Sequence, residues 1–506
     1  MSSEPDKSRY NILEVKLNAQ SNPIGILILI ITSSALITFW PISCADSTSY
    51  PPSADPQSQE ITDIEPKLLS PVSPTWGFTL FLTGNWDGQL GPCGCSERQL
   101  GGIDRRTHIL NSAPASGRLL LDAGPLINSE GRQAQLKLET FLLSLQHLQY
   151  DAIALTGPEM ILLQENLPLG PDDRPPIIAT NMPPEVRLEF AAVAYLEKNL
   201  RRGGENLDCL ILALPDPQSM VGRWSSQKLQ LQDPVSSVIE ILTALNIDPH
   251  QSHNDKFVIV MLPDDNEFLV QQIKQIPALD LLVRAGYGDM PELIENSDNT
   301  PPVVTTGKLG KYVTKIELPI SSSADVKKAQ FEPIPIEEDF PQDPKIIEFF
   351  NNYQTSLKIE NLIDSPYLPR QALDDDNTFT GSLACADCHA DVYLIWNNFG
   401  HAHAMETLIN ENRQYDPECV KCHTIAMEYE IGYRSMEKTP HLADVGCEMC
   451  HGPGLKHRIN TYTMYQEQFF TCEKCHTHEN SPNFEGQREE YFQKIRHWQE
   501  PRIYWK

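Results

Sequence analysis

Four pentapeptides of one pattern, CADCH, CVKCH, CEMCH and CEKCH, crowd into the last quarter of the chain, and nothing else in the sequence constrains it as tightly. In each, two thiols stand three residues apart and an imidazole follows at once, the attachment pattern of a c-type haem. The spacing has a chemical reason: both thiols reach the two vinyl groups of one haem, and the histidine is carried under the iron as its proximal ligand. Zinc sites and disulfides use the same residue types, but one copy can arise by chance and four cannot. The motifs place Cys385 and Cys388 with His389, Cys419 and Cys422 with His423, Cys447 and Cys450 with His451, and Cys472 and Cys475 with His476. Four covalently bound haem c groups are therefore expected. On so little chain the porphyrins serve as the core, so the protein around them is expected to be mainly α, in short helices and loops, and to work as an electron relay.

The sixth ligand of each iron separates a relay from a catalyst, because a second histidine closes the iron and an empty position accepts a small molecule. Histidines outside the motifs are His401, His403, His441, His457, His478 and His497. In HGPGLKH, a Gly-Pro-Gly turn sends His457 toward a haem other than that of His451. His401 and His403 lie two apart on one predicted helix and face different sides, so one of them is expected to be a ligand.

At 506 residues the chain is long enough for two or three domains. A net charge of -28, from 40 basic and 68 acidic residues, argues against nucleic-acid binding and favours a redox protein partner with a basic docking surface. Residues 24–40, IGILILIITSSALITFW, carry no charge, short for a membrane span and long for a signal core. PISC follows, with Cys44 near where a bacterial lipoprotein is cleaved and acylated, although Pro41 is unusual there and the basic Lys7, Arg9 and Lys16 are balanced by Glu4, Asp6 and Glu14. Lipoprotein and uncleaved anchor both remain open. Either implies an exported, membrane-tethered protein on the periplasmic or cell-surface side. The organisation expected is a signal or anchor over 1–44, a disordered tether over 45–75, an α/β domain over 76–322, a linker with one helix over 323–379 and a haem domain over 380–506.

Within the α/β domain, apolar runs such as GFTLFLT, RLLLDAG, DAIAL, PIIAT, DCLILAL, FVIVML and DLLVRA alternate with helical patterns such as QAQLKLETFLLSLQHL, VSSVIEILTAL and EFLVQQIKQI. Strands alternating with amphipathic helices imply a sheet covered on both faces. PVVTTGKLGKYVTKIELPI is expected to close the domain as a hairpin, and KIIEFFNNYQTSLKI to be the linker helix. Over about residues 75–320 this order of elements resembles the calcineurin-like metallophosphoesterases of the 5'-nucleotidase branch, which implies an α/β sandwich. That family holds two metals on loop Asp, Asn and His residues, and here those positions differ. Asn85 and Asp87 stand where Asp and His are expected, Pro125 where the bridging Asp is expected, and Pro158 with Glu159 where Asn-His is expected; later loop histidines are missing from MLPDD and RAGYGDM. The resemblance therefore implies a scaffold whose backbone turns survive at Gly84, Gly88, Gly101 and Gly102, with Arg105 and Arg106 opening a helix. Cys93 and Cys95, in Cys-Gly-Cys, are open to a disulfide, a bridge to Cys209, a thiol function or a soft-metal site.

The carboxyl-terminal segments SLACADCHADVYLIWNNFGHAHAMETL, YDPECVKCHTIAMEYEIGY, HLADVGCEMCHGPGLKH and CEKCHTHENSPNF resemble the tetrahaem cytochromes of the cytochrome c-554 type over about residues 380–500. That resemblance implies three bis-histidine haems and a second haem without a distal protein ligand. It makes His401, His457 and His497 the distal ligands and leaves the iron at His423 open, with His403 the rival of His401 and His441 able to close the second haem. The function expected is electron transfer between redox partners, with the α/β domain as scaffold or docking module. The alternatives are an oxidoreductase acting on a small nitrogen or oxygen species at the open haem and, more remotely, a metal-dependent phosphoesterase.

Overall fold

The computed structural model describes residues 76–93, 99–164, 169–220, 229–252, 255–286, 288–294, 300–319, 328–373, 376–462 and 471–497. The leader and tether, with Cys44, and the residue Cys95 lie outside them.

Two sheets form the amino-terminal body. The seven-stranded sheet runs in the order Gln330–Pro335, Tyr312–Pro319, Trp76–Thr83, Arg118–Asp122, Ala152–Ala154, Ile177–Ile178, Ala192–Val193. Its last five strands are parallel, and Tyr312–Pro319 and Gln330–Pro335 add an antiparallel edge. The six-stranded sheet runs Leu293–Ile294, Val303–Thr305, Leu281–Arg284, Phe257–Leu262, Glu205–Ala213, Leu196–Arg202.

The two-residue period of a strand builds the layers. Phe78, Leu80 and Leu82 of Trp76–Thr83 join Ile211, Ile259, Met261 and Val283 in a core between the sheets, while Phe81 points the other way. Phe81 meets Phe141 and Leu145 of helix Arg132–His147 and Tyr353 and Leu357 of helix Pro344–Glu360. On the far face of the second sheet, Leu210, Leu212 and Val260 meet Val238 and Leu242 of helix Pro234–Ala244 and Leu269 of helix Glu267–Ile273. The result is a four-layer α/β/β/α sandwich, in line with the expected fold class.

Three expectations change. The predicted hairpin does not form: Val303–Thr305 pairs with Leu281–Arg284 in one sheet and Tyr312–Pro319 with Trp76–Thr83 in the other. Between them Gly307 and Gly310, at φ 72° and 56°, turn the chain from sheet to sheet. Residues 323–379 hold more than a linker helix, since Gln330–Pro335 pairs with Tyr312–Pro319 and Pro344–Glu360 packs on Arg132–His147. Finally, Cys209, open to a bridge in the sequence, is a free thiol buried in the core between the sheets.

The carboxyl-terminal region is built of short helices: Ser382–Ala386, Ala390–Trp396, Ala404–Asn410, Pro417–His423, Cys447–His451, Leu455–Ile459 and Arg488–Lys494. They share a small core of Met405, Leu408, Val420, Ile425, Tyr433 and Leu442. Leu383, Leu394 and Ile459, close in sequence to the motif residues, stay 72%, 61% and 77% exposed, an apolar surface of the kind a porphyrin covers.

Candidate functional site

Each motif sits on a short helical turn that sends its histidine off the end. Cys385 lies in Ser382–Ala386, and His389 caps Ala390–Trp396. Cys419, Cys422 and His423 share Pro417–His423, the third motif is itself the helix Cys447–His451, and a 3-10 turn over Cys472–Lys474 leads to His476. No disulfide joins the motif cysteines. Cys385 lies within hydrogen-bonding reach of Cys447, and Cys422 of Cys475, so motifs distant in sequence meet in space.

Three motif histidines each face an imidazole from elsewhere in the chain. Ring centres are 6.4 Å apart for His389 and His457, 6.2 Å for His401 and His476, and 6.0 Å for His451 and His497. With metal–imidazole bonds of about 2.0 Å and each ring centre about 1.2 Å behind its nitrogen, two imidazoles opposed across one metal stand roughly 6.4 Å apart. The donor set therefore fits an iron between each pair. Burial, with His476 and His423 nearby, pushes the His401 imidazole below its ordinary value, toward the neutral form a metal takes. Nδ1 of His476 is 3.1 Å from Ser481 Oγ, and Nδ1 of His497 is 3.0 Å from Ile495 O, which leaves Nε2 of each for a metal.

His423 is different. Its Nδ1 donates to Ala404 O at 2.6 Å, which aims Nε2 outward, yet no ring contact joins it to another imidazole among the described residues. His441 is exposed in the turn Pro440–Leu442. His403 is also exposed, with Nε2 on Asn397 O at 3.0 Å and Nδ1 3.7 Å from Glu406. His478 pairs with Glu485 at 3.2 Å.

The helix ending in His423 is seated on the sandwich. Asp416 caps it by accepting from Glu418 N at 3.0 Å. The same carboxylate accepts from Gln133 Nε2 at 2.8 Å and Tyr353 OH at 3.4 Å, on the two outer helices of the first sheet. Lys137, its side chain 5% exposed, meets Glu418 at 2.5 Å, and Arg413 lies over the Phe350 ring. Sequence reading missed these residues because the partners of each pair lie from 63 to 283 positions apart. In the third motif it also missed Glu448, which is fully buried and accepts from Gly381 N and Gly454 N, both at 2.7 Å.

The loops that resemble phosphoesterase metal loops are filled from within. Asn85 donates to Gly307 O at 2.9 Å. Asp122, fully buried, accepts from Thr83 Oγ1, Trp86 Nε1 and Gly124 N at 2.6, 2.7 and 2.9 Å. Burial pushes its carboxyl up, and these donors pull it back. Trp86 is buried under the Arg106 guanidinium, 4.0 Å from its ring centre. Glu159 accepts from Ile127 N at 2.9 Å and Thr156 N at 2.8 Å, and burial raises its carboxyl to about 7. Asp87 is raised by burial, with Lys308 pulling it back. Lys137 Nζ also reaches this mouth, 3.2 Å from where a Cβ on Gly88 would stand.

The structure is thus a layered α/β body carrying a small helical region in which histidines from distant segments are paired. Residues 384–452 match the family described as cytochrome c554 and c-prime. Cytochrome c-554 of Nitrosomonas europaea is 34% identical over 103 residues, which cover 17% of this chain and 44% of that one. The carboxyl-terminal region is thus similar to c-type cytochromes of that kind. The chain spans less than half the length of that curated relative. Among solved structures, the 5'-nucleotidase precursor of Thermus thermophilus has 16% identity and a TM-score of 0.45, covering 66% of this chain and 68% of that one. The NAD nucleotidase of Haemophilus influenzae has 13% identity and a TM-score of 0.42, with the same coverage.

Proposed function

We propose that this protein is an exported electron carrier with four haem c groups, and that its α/β body is a seat for the haem-bearing region. The observation that carries the proposal is the set of three imidazole pairs at the spacing of two ligands on one metal. In this reading Cys385 and Cys388 hold the first haem between His389 and His457. Cys447 and Cys450 hold the third between His451 and His497, and Cys472 and Cys475 the fourth between His476 and His401. Cys419, Cys422 and His423 hold the second. Haem held by these residues would supply one-electron redox chemistry between a reduced and an oxidised partner. The chain's own residues close three irons with strong neutral ligands, which favours electron passage over substrate binding.

Residues 24–44 would tether the protein outside the cytoplasm, either as a lipoprotein through Cys44 or as an uncleaved anchor; no helix among the described residues is long and apolar enough to cross a membrane. The charge of -28 favours a basic redox partner. Buried Asp122 and Glu159 bind backbone and neighbouring side chains, which favours a scaffold over a hydrolase.

His423, which faces no second imidazole among the described residues, favours one other reading: an oxidoreductase acting on a small nitrogen or oxygen species at that haem. Haem content and stopped-flow oxidation of the reduced, full-length protein separate the two. The carrier reading predicts four haems per chain, oxidation by a basic c-type cytochrome that slows as salt rises, and no turnover of nitric oxide or hydroxylamine. Steady turnover of either, abolished by His423→Met, would favour the oxidoreductase.

A further inference from the structure

We infer that Asp444 is a positioning residue for His423, acting through a single peptide group; this rests on the reading of His423 as an iron ligand. The carbonyl of Ala404 accepts from His423 Nδ1 at 2.6 Å, and the N–H of the same peptide unit, that of Met405, donates to Asp444 Oδ1 at 2.8 Å. An imidazole, a peptide and a carboxylate thus form one line of hydrogen bonds. A carboxylate on the N–H end of a peptide draws electron density toward its oxygen and makes that oxygen a stronger acceptor. The imidazole N–H that it binds is then held more tightly, and the opposite nitrogen becomes a more basic metal ligand. Carboxylates hydrogen-bonded directly to metal-bound histidines act in this way, and here one peptide stands between.

The arrangement is built in. Ala404 and Met405 are buried, and Thr407 Oγ1 also donates to Ala404 O at 2.7 Å. The Asp444 segment is pinned on both sides, by Val445 N on His401 O at 3.0 Å and by a bridge of Ala443 to Thr424, next to His423. Asp444 itself holds φ 68°, a left-handed conformation that Asp tolerates better than most residues. The titratable groups around it are His403, Glu406 and His423. Two histidines of the imidazole pairs are backed differently. His476 leans on the hydroxyl of Ser481, and behind His497 the N–H of Arg496 donates to the carbonyl of Gln493.

A plainer role exists, because Met405 is in the first turn of Ala404–Asn410 and Asp444 also satisfies a free N–H of that helix. Asp444→Asn keeps an acceptor for Met405 and removes the charge, whereas Asp444→Ala removes both. The test is a potentiometric titration of the full-length, haem-loaded protein, with the second haem assigned through His423→Met. Resonance Raman measurement of the iron–histidine stretch in the ferrous form accompanies it. The relay predicts that Asp444→Asn moves the second haem to a more positive potential and lowers its iron–histidine frequency, with the other three potentials unmoved. An Asn variant equal to wild type, with only the Ala variant losing thermal stability, would overturn it, as would an equal shift of all four haems. If wild type shows no five-coordinate iron–histidine band, the open second haem falls, and the potentials still decide the relay.

Discussion

Glu159 shows at the scale of one residue how this sandwich differs from the phosphoesterases it resembles. Its carboxyl is fully buried and ties the loop at Leu126 and Ile127 to Thr156, while burial lifts it from an ordinary 4.5 to about 7. A carboxyl raised on folding holds its proton more tightly in the native state. It therefore contributes stability below pH 4.5 that is lost as pH rises through 7. The loss amounts to roughly 3 kcal/mol at 1.36 kcal/mol per unit. Thermal unfolding between pH 4.5 and 8 should show that decline in wild type and a flatter profile in Glu159→Gln; equal slopes would place the titration elsewhere. Trp86, buried between Phe141 and Arg106, belongs to the same filling. Trp86→Ala should cost about 3–5 kcal/mol of stability by denaturant titration and leave the spectra of the haem region unchanged.

At the scale of elements, the helix Pro417–His423 is one place where the two halves of the chain meet. Its cap, Asp416, is shared with Gln133 and Tyr353, so one carboxylate both starts the helix and fastens it to the sandwich. Loss of a capping acceptor costs about 1 kcal/mol, and stranding Gln133 adds to it. Asp416→Ala should lower the melting temperature of the haem-loaded protein by several degrees and disturb the second haem before the others. An effect spread evenly over all four haems would argue against this seat. Elements were also where sequence and structure parted company. The inner strands of the first sheet were legible because burial on both faces leaves uninterrupted apolar runs such as LFLT and LLLD, whereas the edge strands Ala192–Val193 and Gln330–Pro335 were not. Leu196–Arg202 was not, because on an exposed edge its LEKNLRR reads as polar. The false hairpin had the right strands and the wrong partners, since a Gly-rich turn that crosses between sheets looks locally like one that folds back.

At the scale of the whole molecule, the motif cysteines and histidines were legible because thioether attachment demands a fixed local spacing. The pairing of His389 with His457, His451 with His497 and His476 with His401 was not, since it depends on how helices separated by loops pack together. The family resemblance supplied the three distal candidates, and the geometry supplies their partners. The seat on the sandwich and the line from His423 to Asp444 had no sequence signal, because each rests on contacts between distant residues. With its metal-loop positions filled from within, the sandwich should hydrolyse no nucleotide or phosphate ester when manganese or zinc is added, and chelators should leave electron transfer unchanged. Metal-dependent hydrolysis lost in a Glu159 or Asp122 variant would reverse that view.

The most direct measurement is the electron paramagnetic resonance spectrum of the oxidised, haem-loaded protein, in which low-spin and high-spin ferric haem give separate signals. Three imidazole pairs, and a His423 that faces no second imidazole among the described residues, predict about three low-spin haems for each high-spin one, the high-spin signal vanishing when cyanide is added. A wholly low-spin spectrum would show that a ligand closes the second iron. A high-spin signal from two or more haems would contradict the pairing itself.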